Sequence, residues 1–135
     1  MRILVIDGQG GNIGRQLVKR ISEELPQAEL RVVGTNSIAT ANMLKAGAVQ
    51  AATGENAVVV ACRKADVITG PIGIVIADAL LGEVTPAMAS AVGQSDAVRV
   101  LIPMNRCETL VAGVADAPTG ILLEDAIEKI KAAVR

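Results

Sequence analysis

The chain has 135 residues, a formal net charge of −1, and no His, Phe, Tyr or Trp. That length accommodates one domain over residues 1–135 around one core. Near-neutral charge and the lack of any aromatic stacking platform exclude a nucleic-acid partner; without histidine there is no Ser-His-Asp triad, Cys-His pair or histidine metal site, so no metal centre is expected.

Ile3, Leu4, Val5 and Ile6 are an unbroken apolar run, the pattern of a central parallel strand covered on both faces. Gly8, Gly10, Gly11 and Gly14 follow at once. Ile13, Leu17, Ile21 and Leu25 recur four apart and predict a helix opened by Gly11 or Asn12 and stopped by Pro26. Glu29 to Gly34 predicts a second strand. Gly34-Thr-Asn-Ser37 is a polar turn. Thr35 or Ser37 is expected to cap a helix that runs to about Ala46, turns Ile38, Ala41 and Leu44 to the core, and ends before Gly47. Residues 48–52 read equally as a short strand or an extended connection.

Thr53-Gly-Glu-Asn56 predicts a further helix start, with Thr53 as its cap and Glu55 in its first turn. That helix carries Ala57 to Cys62, although Val58-Val-Val60 alone would suit a strand. Ala65 to Thr69 predicts a third strand, closed by Gly70-Pro71. Residues 72–81 predict a helix apolar nearly all round, Asp78 excepted, ended by Gly82. Thr85 caps the next helix and Pro86 opens it, with Met88, Ala91 and Val92 on its apolar side and Gly93 at its end. Val98 to Ile102 predicts a fourth strand and Thr109 to Val114 a fifth. A final helix over about Gly120 to Ala133 carries the stripe Leu123, Ile127, Ile130 and Val134. Strands alternating with helices imply an α/β, three-layer Rossmann-like fold with a mostly parallel sheet of about five strands.

The strand, glycine turn and helix at residues 2–14 point to a nucleotide or phosphate-bearing cofactor. Bare backbone lets a phosphate approach, and the helix presents unpaired N–H groups to it. The spacing is Gly8-x-Gly10-x-x-x-Gly14 rather than Gly-x-Gly-x-x-Gly, because position 13 is Ile. The competing structural reading is that these glycines permit only a tight turn and close packing. In an open parallel sheet ligands lie beyond the strands' C-terminal ends. That rule gathers Gly8, Gln9, Gly10, Gly11, Asn12 and Gly14 with Thr35, Asn36, Ser37, Gly70, Pro71, Asn105 and Arg106. An NAD site wants Asp or Glu after the second strand. Thr35, Asn36 and Ser37 stand there instead and offer hydrogen bonds to a 2′-phosphate, which favours NADP over NAD. Asp7 would repel a phosphate, and is read as bonding the N–H groups of its own turn. The ATP-hydrolysing phosphate loop is missing.

Glu55, Asp78 and Glu83 are the candidate acid–base groups for an alternative, an enzyme acting on a small phosphorylated or carboxylated metabolite. Asp78 lies in an apolar helix, where burial would raise its pKa; a partner at an interface or cap is the equal alternative. Cys62 and Cys107 read as isolated buried thiols. A third reading is an oligomeric interaction protein without a small-molecule ligand.

Asp7-Gly-Gln-Gly-Gly-Asn-Ile-Gly14, Gly34-Thr-Asn-Ser-Ile-Ala-Thr40, Ala52-Thr-Gly-Glu-Asn-Ala57, Gly70-Pro-Ile-Gly-Ile-Val-Ile-Ala-Asp78 and Gly82-Glu-Val-Thr-Pro-Ala-Met88 together resemble a family of small uncharacterised bacterial proteins, a domain of unknown function. The resemblance covers nearly the full chain and implies no activity, substrate or catalytic residue. Asn12 departs from the additional glycine associated with that family.

Hydrophobic residues make up 51% of the chain, and mean hydropathy is positive. Such a chain is expected to hide apolar surface in a homodimer or larger homo-oligomer. No apolar run is long enough to span a membrane and no basic leader precedes the first strand, so a cytoplasmic location is expected.

Overall fold

The apolar run at the start of the chain forms β1, Arg2–Asp7, buried from Ile3 onward. In this computed structural model, which describes residues 1–104 and 108–134, β1 is the centre of a five-stranded, all-parallel sheet. The other strands are β2 (Glu29–Gly34), β3 (Gln50–Thr53), β4 (Val67–Pro71) and β5 (Val98–Ile102), in the order β3-β2-β1-β4-β5. β1 lies in register with β2 from Arg2↔Glu29 to Asp7↔Gly34, and with β4 from Ile3↔Val67 to Val5↔Thr69. The chain winds outward from β1 to β2 and β3, then crosses to β4 and β5 on the other side. The switch of direction therefore falls between the C-terminal ends of β1 and β4. In this class of sheet that is where ligands bind.

Helices α1 (Asn12–Glu24), α2 (Ser37–Lys45), α3 (Glu55–Cys62), α4 (Pro86–Gln94) and α5 (Thr119–Ala133) cover both faces. On one face Ile3, Val5, Val67 and Val100 meet Ile13, Leu17 and Ile21 of α1, Met43 of α2 and Leu123, Ile127 and Ile130 of α5. On the other, Leu4, Ile6, Val33 and Ile68 meet Val58 of α3 and Met88 and Val92 of α4. Alternate residues of β1 thus feed two separate apolar layers, which is why its sequence shows no polar side. Among the described residues no helix is long and apolar enough to cross a membrane.

The structure departs from the sequence-based expectations at particular places. Residues 72–81 are not a helix. A short 3-10 turn, Ile72–Val75, leads into a loop whose backbone closes on itself through Asp78 N–H to the Val84 carbonyl and Val84 N–H to the Ala79 carbonyl. A helix would turn half of this apolar segment to solvent. The loop buries Ile74, Ala79, Leu80 and Val84 together against α4, and leaves Asp78 exposed rather than buried. Residues 109–114 are not a strand either. Gly113 adopts φ 79° and Val114 N–H turns back to the Val111 carbonyl. The fifth strand is β3 instead, the segment that read equally as strand or connection.

Smaller differences follow from capping and register. α2 is capped by Asn36, whose Oδ1 accepts from Ala39 N–H at 2.8 Å, rather than by Thr35 or Ser37. That cap sets the helix phase so that Ala39, Thr40 and Met43 face inward, whereas Ile38, Ala41 and Leu44 are exposed. α3 starts after Gly54 at φ 101°, without a side-chain cap. Thr53 ends β3, and its hydroxyl shares a hydrogen bond with Thr40 instead. β4 extends through Gly70 and Pro71 because both pair with β5.

Candidate functional site

Between β1 and α1 the chain makes its turn with Gln9 at φ 48° and Gly11 at φ 71°. Gly11 N–H donates to the Gly8 carbonyl at 2.9 Å. A Cβ on Gly11 would stand 2.7 Å from the Ala39 backbone, so this glycine allows α2 to press against the turn. Gly14 is equally confined, 2.6 Å from the Met43 sulfur and 2.8 Å from Asp7 Cβ. Gly10 differs: nothing lies within 4 Å of its would-be Cβ. It is the one glycine of the turn that faces open space.

Asp7 satisfies the turn from inside. Its buried carboxylate accepts from Gly8 N–H at 2.8 Å and from Gly14 N–H at 2.6 Å. Gly14 is the third residue of α1, so Asp7 does the work of an N-cap that Gly11 lacks. Burial pushes the Asp7 pKa up, and the charge of Glu83 adds to that; the N–H groups of Gly14, Gly8 and Ile13 oppose it without cancelling it. Gly10 and Asn12 N–H keep no partner among the described residues.

Glu83 closes the site from outside. Its Oε1 receives Gln9 N–H at 2.8 Å, the Thr35 hydroxyl at 2.6 Å and Asn36 Nδ2 at 2.8 Å. Burial acts to raise its pKa, but the bonds from Thr35, Gln9 and Asn36 together hold it below the usual value. Asn36 Nδ2 also reaches the Gln9 carbonyl, and Asn42 donates to the Gly10 carbonyl, so α2 is sewn to the turn. Leu80 and Glu83 both lie against Gly8, within 2.9 Å of a would-be Cβ.

The gathered residues are therefore only partly one site. Gly8, Gln9, Thr35 and Asn36 converge on Glu83, with Gly10 and Asn12 at the open rim. Ser37 is exposed at the first turn of α2. Gly70 and Pro71 are buried inside the sheet, and a Cβ on Gly70 would stand 2.1 Å from the Ile6 carbonyl oxygen, which assigns that glycine to strand packing. Asn105, Arg106 and Cys107 lie outside the described residues. Glu55 is exposed and accepts from the Thr85 hydroxyl at 2.7 Å, and Asp78 is exposed; neither bonds to the glycine turn among the described residues. Cys62 is buried, with its thiol pKa pushed up to about 11, so it is an inert core thiol.

Two residues here carry no signal in the sequence, Asn42 on the Gly10 carbonyl and Thr69. Thr69 is fully buried in β4 and its hydroxyl has no hydrogen-bond partner. Replacing that hydroxyl by a methyl group removes an unsatisfied buried donor, so Thr69→Val is expected to stabilise the fold by about 1 kcal/mol. A rise in the urea midpoint at unchanged slope checks this; a fall would mean that the hydroxyl has a use.

No curated protein matches the chain in sequence. Residues 2–135 match the family model described as "Domain of unknown function (DUF3842)", and the chain belongs to that family.

Proposed function

We propose that the C-terminal edge of β1 and β2 binds a nucleotide or another phosphate-bearing cofactor, NADP-like in preference to NAD. One observation carries this reading: three donors from two separate loops meet on a single anionic oxygen, Glu83 Oε1. Charge-assisted bonds of this kind suit a phosphate oxygen as well as a carboxylate oxygen. Two of the donors, Thr35 and Asn36, follow β2, where the ribose 2′ position of a dinucleotide lies in this fold class. Gly10, with open space above it and an N–H group without a partner, supplies the approach to bare backbone.

The alternative role for Glu83, as a general acid or base, is less well supported. Its carboxylate is held ionised below neutral pH and its three hydrogen bonds oppose proton uptake.

Thermal unfolding with NADP, NAD, FAD, ATP and coenzyme A at millimolar concentration tests the proposal. A ligand that binds only the folded state raises the melting temperature, and NADP is expected to do so more than NAD. Gly10→Ala is expected to leave stability within about 0.5 kcal/mol of the parent and to abolish that rise, because its methyl group enters the space above the turn. If no compound shifts the wild type or the Glu83→Ala variant, the cofactor reading is lost.

We further propose self-association through the β3 edge. All four β3 residues are exposed, Val49 beside them is 87% exposed, and Ala51, Ala57, Val60 and Ala61 line a shallow apolar groove of about 260 Å³. Exposed strand edges are the usual route to such pairing. Light scattering reads it directly: a 13.8 kDa mass at all concentrations would refute it.

A further inference from the structure

Residues 76–84 cover the glycine turn in a conformation that is costly to hold. Asp78, Leu80 and Leu81 have φ 67°, 58° and 57°, and Gly82 has φ 90°. Three of these four are L residues in the left-handed region, which their side chains rarely adopt. Leu81 gains nothing by packing, being 97% exposed. Such a conformation persists only where neighbouring contacts impose it.

Three sets of contacts tie the segment down: Leu80 is buried against Gly8, Ala79 and Val84 are buried in the apolar layer with Met88 and Val92 of α4, and Glu83 bonds Gln9, Thr35 and Asn36. Beyond the Ile76 N–H bond to the Gly73 carbonyl, its backbone bonds are internal: Ala79 N–H to the Ile76 carbonyl, Gly82 N–H to that of Asp78, Glu83 N–H to that of Leu80, and the Asp78–Val84 and Val84–Ala79 links. A segment that makes most of its own backbone bonds can lift from the turn as a unit with those bonds kept, giving up the burial of Ala79, Leu80 and Val84. It is anchored at both ends by firm elements, the Ile72–Val75 turn and the Thr85-capped start of α4.

We propose that residues 76–84 are a strained strap that occupies the cofactor seat in the free protein, with Glu83 Oε1 standing where a ligand's phosphate oxygen goes. The ligand claim rests on the function proposed above; the strap itself does not. An entering phosphate replaces the Glu83 carboxylate on Gln9 N–H, Thr35 and Asn36, and relief of the left-handed conformation at Leu80 and Leu81 helps the strap to leave. A hydroxyl-only ligand brings no anion to these donors and competes poorly. Apparent affinity then falls in proportion to the fraction of molecules that are open.

Two variants move the strap in opposite directions. Glu83→Ala removes the tie and favours opening. Leu81→Gly relieves strain at an exposed position and favours the closed state. Amide hydrogen exchange without ligand should be at least fivefold faster at Gln9 and residues 76–84 in Glu83→Ala. It should be slower by a similar factor in Leu81→Gly, with β1 and β4 unchanged in both. Exchange altered uniformly along the chain, or nowhere, overturns the strap. NADP titration of the same variants separates the two ideas: affinity rising in Glu83→Ala and falling in Leu81→Gly supports displacement of Glu83. If exchange shifts as described but no variant binds NADP or inorganic phosphate, the cofactor reading falls and the strap stands.

Discussion

Gly70→Ala should cost the protein about 3 kcal/mol or more, the largest single loss expected from adding one methyl group to this chain. The new Cβ would sit 2.1 Å from the Ile6 carbonyl oxygen, with Ile6 C and Ile74 Cδ1 at 3.3 Å. No rotamer change can relieve the first contact, because the obstacle is backbone of the adjacent strand. β1 and β4 would have to move apart, yet β1 also pairs with β2 and β4 with β5, and helices cover both faces. Urea denaturation should show a much lower midpoint. A variant within about 0.5 kcal/mol of the parent would mean that the two strands do not approach as described.

Asp7→Asn is expected to destabilise by about 2 kcal/mol. The substitution keeps the shape and removes one acceptor. Both carboxylate oxygens now take backbone donors, from Gly8 and Gly14. An asparagine would meet one of those N–H groups with its own NH₂, leaving two donors facing each other in a buried site. Removal of the buried charge offsets part of this, since burial already strains the ionised form.

The pH dependence separates the two carboxylates. The pKa of Asp7 is raised above 3.8 in the folded state, so between that value and the raised one the native protein holds more proton than the unfolded chain. Its contribution therefore falls as pH rises through that window, and Asp7→Asn should remove this slope. Glu83 is lowered below 4.5, so its contribution is present above that value and is lost as pH falls through the folded pKa. Stability measured from pH 3 to pH 7 should show the first slope vanish in Asp7→Asn and the second in Glu83→Ala. An unchanged profile in Asp7→Asn would mean that burial does not raise the Asp7 pKa above its unfolded value.

How far the sequence reaches depends on whether a signal is local. β1, β2, α1, α4 and β5 were legible because their signals lie within a few residues. These are an uninterrupted apolar run, a four-residue stripe, and the Thr85-Pro86 start. The Asp7 turn was legible for the same reason, since an Asp beside glycines bonds nearby N–H groups. The α/β class followed from alternation alone, and the parallel sheet is its direct consequence.

Other features were settled only when distant segments met. Gln50–Thr53 is a strand because β2 offers it an edge, whereas residues 109–114 carry Gly113 at φ 79° and turn away. Residues 72–81 have helix composition but bury better as a folded loop against α4, and that outcome needs the other elements in place. Glu83 stands 74 residues from Gln9 and 48 from Thr35, so no spacing rule joins them. The sequence by itself determined the layers and the glycine turn, through short-range sterics and periodicity. The tertiary structure decided what sits on that turn, because closing a carboxylate onto three separate donors depends on contacts between segments far apart along the chain.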